Sequence, residues 1–211
     1  MRITEKLMVK DQLVSFEVFP PKTDSAFDSI EWSVRELAAF NPDFMSVTYG
    51  AGGGTSKYTL EIAKNIKKMY NVPTLAHLTC VSSTKETVRE RIVDIKNAGI
   101  ENVMALRGDI PEELINADRS NWDYNYATDL IKELKLINPD FCIGGACYPE
   151  IHPESANQKE DIKRLKEKVE AGCDFLTTQM FFDNNLLYNF LYKIREAGIT
   201  VRGLRRGAGG C

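Results

Sequence analysis

Ser83 to Asp109 reads STKETVRERIVDIKNAGIENVMALRGD, and one complete structural period is written in it. Ser83 followed three residues later by Glu86 has the spacing of a helix-opening capping box. Val88, Ile92 and Ile95 recur at helical intervals, which predicts an amphipathic helix with one buried stripe. Ala98-Gly99-Ile100 ends it, because glycine tolerates the left-handed backbone just past a last helical turn. Asn102–Leu106 is short and apolar and runs into Arg107-Gly108-Asp109, the pattern of a buried strand that stops at polar residues.

The period recurs on both sides. Strands are predicted at Val14–Phe19, Phe44–Tyr49, Thr74–Cys80, Phe141–Cys147 and Phe175–Phe182, with a weaker one at Ile199–Val201. Helical stripes run through Tyr126, Leu130, Leu134 and Ile137, through Ile162, Leu165 and Val169, and through Leu187, Phe190, Leu191 and Ile194. The exits Ala171-Gly172-Cys173 and Ala197-Gly198-Ile199 repeat the first one. Repeated βα units imply a parallel sheet. A doubly wound sheet and a closed barrel both fit, but no G-x-G-x-x-G follows the first strand, which weakens the dinucleotide-fold option. Gly50 to Gly54 read either as a ligand cradle or as a flexible turn.

The bulk composition supports one large domain. The chain has 211 residues, 43% hydrophobic and 27% charged, values that fit a globular protein with a core. Its net charge of −3 is the wrong sign for a general polyanion binder, so no nucleic-acid partner is expected. No apolar run is long enough to cross a bilayer, and the first twelve residues lack a signal-peptide core. A cytosolic protein without a membrane partner is expected. Cys80, Cys142, Cys147, Cys173 and Cys211 form no CxxC pair and read as small apolar residues in a reducing compartment. Only two histidines are present, with no metal-ligand spacing, so no metal site is expected.

Ligands of parallel α/β proteins sit at the carboxyl ends of the strands, so the polar residues there are the candidates. Glu17 lies inside Ser15-Phe16-Glu17-Val18-Phe19. A carboxylate in an apolar strand is either paired or protonated; Glu17 reads equally as a general acid with a raised pKa or as half of a structural ion pair. His77, within Leu75-Ala76-His77-Leu78, reads first as a satisfied core residue. Asp109 faces a ligand or caps a helix. Tyr148 and His152 lie in a stretch, Tyr148–Pro153, whose two prolines, Pro149 and Pro153, fix the turn, and both rings suit a planar ligand. The Gln179 amide suits a heterocycle's edge or a backbone neighbour.

Six motifs then occur in order: Ser-Phe-Glu-Val-Phe-Pro-Pro from Ser15, Ser-Val-Thr-Tyr-Gly-Ala from Ser46, His-Leu-Thr-Cys from His77, Ala-Leu-Arg-Gly-Asp from Ala105, Tyr-Pro-Glu-Ile-His-Pro from Tyr148, and Thr-Gln-Met-Phe-Phe-Asp from Thr178. Together they resemble the short bacterial type of 5,10-methylenetetrahydrofolate reductase. The resemblance implies a TIM-type (β/α)8 barrel holding FAD. It implies ping-pong hydride transfer from NADH or NADPH to the flavin and on to the folate substrate, yielding 5-methyltetrahydrofolate for methionine synthesis; between the nicotinamides it leans toward NADH. It makes Glu17 the general acid that protonates the folate nitrogen and Asp109 the charge that stabilises the iminium ion. Gln179, with Asp109, would bind the folate. Thr48, His77, Arg107, Gly108, Asp109, Tyr126, Ala127, Tyr148, His152, Asp161 and Lys168 fall at flavin-contact positions, with Lys168 reaching the pyrophosphate or ribose and Asp161 the ribose.

Two departures stand out. Arg164 and Glu167 replace an Asn and an Arg contact of the family, and a glutamate near a phosphate is unfavourable. The ten residues from Arg202 have no hydrophobic period. The expected architecture is therefore a reductase domain at 1–201 and a disordered tail at 202–211, with about seven strands and no closing segment. Exposed sheet edges would favour a homo-oligomer. The alternatives are a non-catalytic remnant with residual flavin binding, or another FAD-dependent barrel oxidoreductase of the proline dehydrogenase kind.

Overall fold

The structure is a computed structural model that describes residues 1–21, 27–49 and 56–204. The glycine run Gly50 to Gly54 and residues 205–211, Cys211 among them, lie outside these. Seven strands form one sheet in chain order, all neighbours parallel. They are β1 (Ser15–Val18), β2 (Phe44–Val47), β3 (Thr74–Thr79), β4 (Asn102–Leu106), β5 (Cys142–Cys147), β6 (Phe175–Thr178) and β7 (Arg202–Leu204). Helices α2 (Phe27–Ala38), α3 (Ser56–Tyr70), α4 (Lys85–Asn97), α5 (Ala127–Ile137), α6 (Gln158–Glu170) and α7 (Asn184–Glu196) fill the crossovers, and α1 (Ile3–Val9) precedes β1. The result is a curled barrel wall of TIM type.

Strand alternation splits the apolar residues into two cores. Met45, Ala76, Val103, Ile143 and Leu176 face the helices and join the large outer core with Ile92, Leu130 and Phe190. Their neighbours Phe44, Leu75, Met104, Cys142 and Phe175 face inward, as a period of two requires. The inner group is closed from below by Ile3 and Leu7 of α1. Asn102 fixes that plug: its Oδ1 accepts from the Ile3 amide at 2.8 Å, and its amide donates to Thr74 O at 3.2 Å. The charged N-terminal residues gave no sign of this helix, because only two of its side chains are buried.

On β5, Gly144 and Gly145 point to opposite faces. A Cβ at Gly144 would meet Phe175 Cζ at 2.6 Å, and one at Gly145 would meet Lys168 Cδ and Cys173 Sγ at 2.8 Å. The strand is thin because bulky neighbours cover it on both sides.

Several expected boundaries shift. Thr84, not Ser83, caps α4, with its Oγ1 accepting from the Thr87 amide at 3.3 Å. Tyr126 is 50% exposed and stands as the residue before α5 instead of within its buried stripe. β6 stops at Thr178, so Gln179 to Phe182 form a loop. The seventh strand is Arg202–Leu204, not Ile199–Val201; it pairs with β6 through backbone bonds that need no apolar pattern. The three Ala-Gly exits hold, with φ of +70°, +115° and +78° at Gly99, Gly172 and Gly198.

Candidate active site

The polar strand-end residues gather in two places. The first is the mouth of the barrel above β1 to β3. Glu17 is the register partner of Ser46, and Ser46 Oγ donates to its Oε2 at 3.4 Å. His77 Nε2 lies 3.9 Å from the same oxygen. The Glu17 side chain is 23% exposed and that of His77 is 11% exposed. Glu17 is thus an engaged carboxylate open to the mouth, not one sealed in apolar surroundings. Thr48 follows β2, its amide donating to Val18 O at 3.0 Å and its carbonyl accepting from Thr59 Oγ1 at 2.9 Å.

The second place is a cavity of about 550 Å³ at the ends of β4 and β5, walled by α5 and α6. Arg107, Gly108 and Asp109 enter it from β4, Tyr126 and Ala127 from the start of α5, Tyr148 and His152 from the loop after β5, and Asp161 and Lys168 from α6. Nine of the residues singled out from sequence therefore line one space. Glu17, Thr48, His77 and Gln179 do not.

Arg107 makes a bidentate pair with Glu154, at 2.5 and 2.7 Å. That bond raises the Arg107 pKa against the effect of burial, and it holds the Glu154 carboxyl below its usual range. The Tyr148 and His152 rings meet edge to face at 4.6 Å, and His152 Nδ1 accepts from the Glu154 amide at 3.1 Å. Burial, aided by the charge of Asp109, pushes the Tyr148 hydroxyl up. Asp161 takes the His152 amide at 3.3 Å and the Ser155 hydroxyl at 3.1 Å, so it shapes the loop that carries the rings. Lys168 donates to Ala146 O at 2.6 Å, and burial pushes its ammonium down. Arg164 pairs with Glu167 at 3.3 Å and lies 5.1 Å over the Tyr126 ring, which balances the glutamate that looked unfavourable.

Gln179 is exposed and its Oε1 accepts from the Met180 amide at 3.0 Å. Sequence reasoning missed Ser46 and Glu154. Ser46 was legible only through register with Glu17. Glu154 follows the second proline of Tyr148–Pro153, a place that gains meaning once β4 and β5 are neighbours. Among the described residues, no His, Cys, Asp and Glu group gathers that could hold a metal, and no helix is long and apolar enough to cross a membrane. Cys80, Cys142, Cys147 and Cys173 are buried and free.

Fold and site together define a parallel β/α barrel with a charged, aromatic-lined cavity at its strand ends. The chain belongs to the methylenetetrahydrofolate reductase family, whose model matches residues 2–203. It is 39% identical over 188 residues to the 5,10-methylenetetrahydrofolate reductase of Pectobacterium carotovorum subsp. carotovorum, covering 89% of this chain and 61% of that protein. To the probable methylenetetrahydrofolate reductase (NADH) of Oryza sativa subsp. japonica it is 37% identical over 196 residues, covering 88% of this chain and 33% of that protein. The chain thus spans about three-fifths of the bacterial relative and one-third of the plant one. Among solved structures, a Clostridium thermocellum protein described as binding two copies of 5-methyl-5,6,7,8-tetrahydrofolic acid superposes with a TM-score of 0.68 at 15% identity, covering 96% of this chain and 68% of that one. A 2,3-dimethylmalate lyase superposes with a TM-score of 0.64 at 12% identity, covering 100% of this chain and 73% of that one. Those two likenesses speak for the barrel fold.

Proposed function

We propose that this chain forms the catalytic barrel of a flavin-dependent methylenetetrahydrofolate reductase, using NADH or NADPH to make 5-methyltetrahydrofolate for methionine synthesis in the cytosol. The observation that supports it most is the convergence of nine family-matched residues on one cavity. The lining suits FAD once Glu154 yields its place: Arg107 carries a planar cation fork of the kind that grips phosphate oxygens, paired here with Glu154, and the Tyr148 and His152 rings offer faces to a planar group. Bound there, FAD supplies a two-electron relay between nicotinamide and folate.

The chain's own residues do the rest. Arg107 neutralises the diphosphate, Tyr148 and His152 orient the planar part, and Lys168 and Asp161 hold the α6 side of the cavity in shape. Glu17, at the mouth, carries a proton for the folate nitrogen. As the carbon–nitrogen bond of the five-membered ring breaks, the proton moves from the Glu17 carboxyl to that nitrogen. The cation left on carbon is countered by Asp109. Gln179 meets the heterocycle's edge from the loop after β6, after rotating away from the Met180 amide.

The experiment is direct. The purified chain is given FAD, and flavin absorbance is followed as NADH is added without oxygen. Bleaching, then recovery of absorbance on adding 5,10-methylenetetrahydrofolate, is the expected result. A chain that takes up no flavin would rule the reading out.

A further inference from the structure

We propose that Glu154 is a counter-anion gate on Arg107, which a phosphate-bearing ligand must displace to enter the cavity. This rests on the flavin reading above. Both terminal nitrogens of the guanidinium, Nη1 and Nη2, point at Glu154, while Nε is spent on Gly108 O at 3.2 Å. A phosphate gripped bidentately needs the edge that Glu154 holds. The two anions are therefore alternatives on one cation.

The surroundings sharpen the competition. Carboxylates outnumber cations around the cavity. Of the three other cations there, Lys168 is committed to the Ala146 carbonyl and Arg164 to Glu167, while Lys132 is an exposed point charge without a planar fork. Arg107 is thus the fork whose release sets how well a diphosphate is held. The pair is built to open on one side. The Arg107 side chain is 19% exposed and fixed by β4, whereas Glu154 is 50% exposed, on a loop past the strand. Swinging out returns the glutamate to water, where an ion pair of this kind is worth little. A ligand without phosphate leaves the gate shut and gains nothing from Arg107.

The test compares FAD, ADP and riboflavin binding to the parent chain, Glu154→Gln and the double variant Arg107→Gln/Glu154→Gln. Flavin fluorescence serves for the first and last ligands and calorimetry for ADP. Glu154→Gln is expected to bind FAD and ADP about 3- to 10-fold tighter than the parent, with riboflavin unchanged and the gain erased in the double variant. Should Glu154→Gln not fold, Glu154→Asp keeps the charge with a shorter reach and is expected to give a smaller gain. Equal or weaker FAD binding by the folded variant overturns the gate and leaves the flavin reading standing. If neither parent nor variant binds FAD or ADP, both the gate and the flavin reading fall.

Discussion

His77 Nε2 stands 3.9 Å from Glu17 Oε2 across the inner face of the barrel, with β2 between their strands. Ser46, on that intervening strand, donates to the same oxygen. One carboxylate oxygen is thus held from two sides while the side chain stays open to the mouth.

From that arrangement, Glu17→Gln is expected to leave the reduction of bound flavin by NADH within about twofold of the parent, since the amide keeps the size of the acid. The folate half-reaction is expected to slow by about 10²-fold or more, the usual worth of a general acid. Anaerobic stopped-flow measurements separate the two steps. Equal slowing of both would mean that Glu17 serves the flavin and not the folate.

Asp109 is exposed at the end of β4, beside a cavity already rich in carboxylates. Asp109→Asn removes one negative charge, so FAD affinity is expected to hold or improve slightly. Turnover of folate is expected to fall by roughly 10- to 10³-fold, as when charge stabilisation is lost. Titration of FAD alongside single-turnover kinetics checks both. A large loss of FAD affinity would recast Asp109 as a structural holder of the Arg107 turn.

Asp43 ties the bottom of the barrel together. It accepts from Lys10 Nζ at 2.5 Å and from the Val14 amide at 3.0 Å, with Lys6 Nζ at 3.6 Å. Burial works to raise its pKa, but the Lys10 bond, the Val14 amide and the two lysine charges hold it below the ordinary 3.8. A carboxyl lowered by folding contributes stability that is complete above its unfolded value and is lost as pH falls through the folded one. Asp43→Asn is therefore expected to cost about 1–3 kcal/mol at pH 7 and to flatten the loss of stability below the ordinary value of 3.8. Urea titrations from neutral to acid pH give the comparison. An unchanged acid limb would show that other carboxylates dominate it.

Six strands and the helices α4 to α7 were legible where burial on one or both faces wrote a period into the sequence, as in Val88, Ile92 and Ile95, whereas α2 and α3 were not singled out. α1 was not, because it meets the core through Ile3 and Leu7 alone. β7 was not, because backbone pairing to β6 leaves no composition signal in Arg202-Gly203-Leu204. In the site, Arg107, Asp109, Tyr148 and His152 were legible as polar residues at strand ends. Their partners were less so: Glu154 meets Arg107 across 47 residues of sequence, a contact that exists only once β4 and β5 lie side by side.

The two glycines of β5 separate stability from binding within one strand. Gly144→Ala would drive a methyl group into the ring of Phe175, which is fully buried, with Met104 Sδ 3.0 Å away. Neither neighbour has open space, so overpacking of about 1–3 kcal/mol is expected. Gly145→Ala faces outward instead, onto Lys168 Cδ and Cys173 Sγ. The lysine stem is flexible and can give way, but in moving it leaves the Ala146 carbonyl and shifts one wall of the cavity. Gly144→Ala should therefore lower the urea midpoint with FAD affinity intact. Gly145→Ala should weaken FAD binding several-fold with a smaller loss of stability. Both variants are measured by urea unfolding and flavin titration, and the reverse pattern would contradict the assignment of Gly144 to the inner core and Gly145 to the cavity wall.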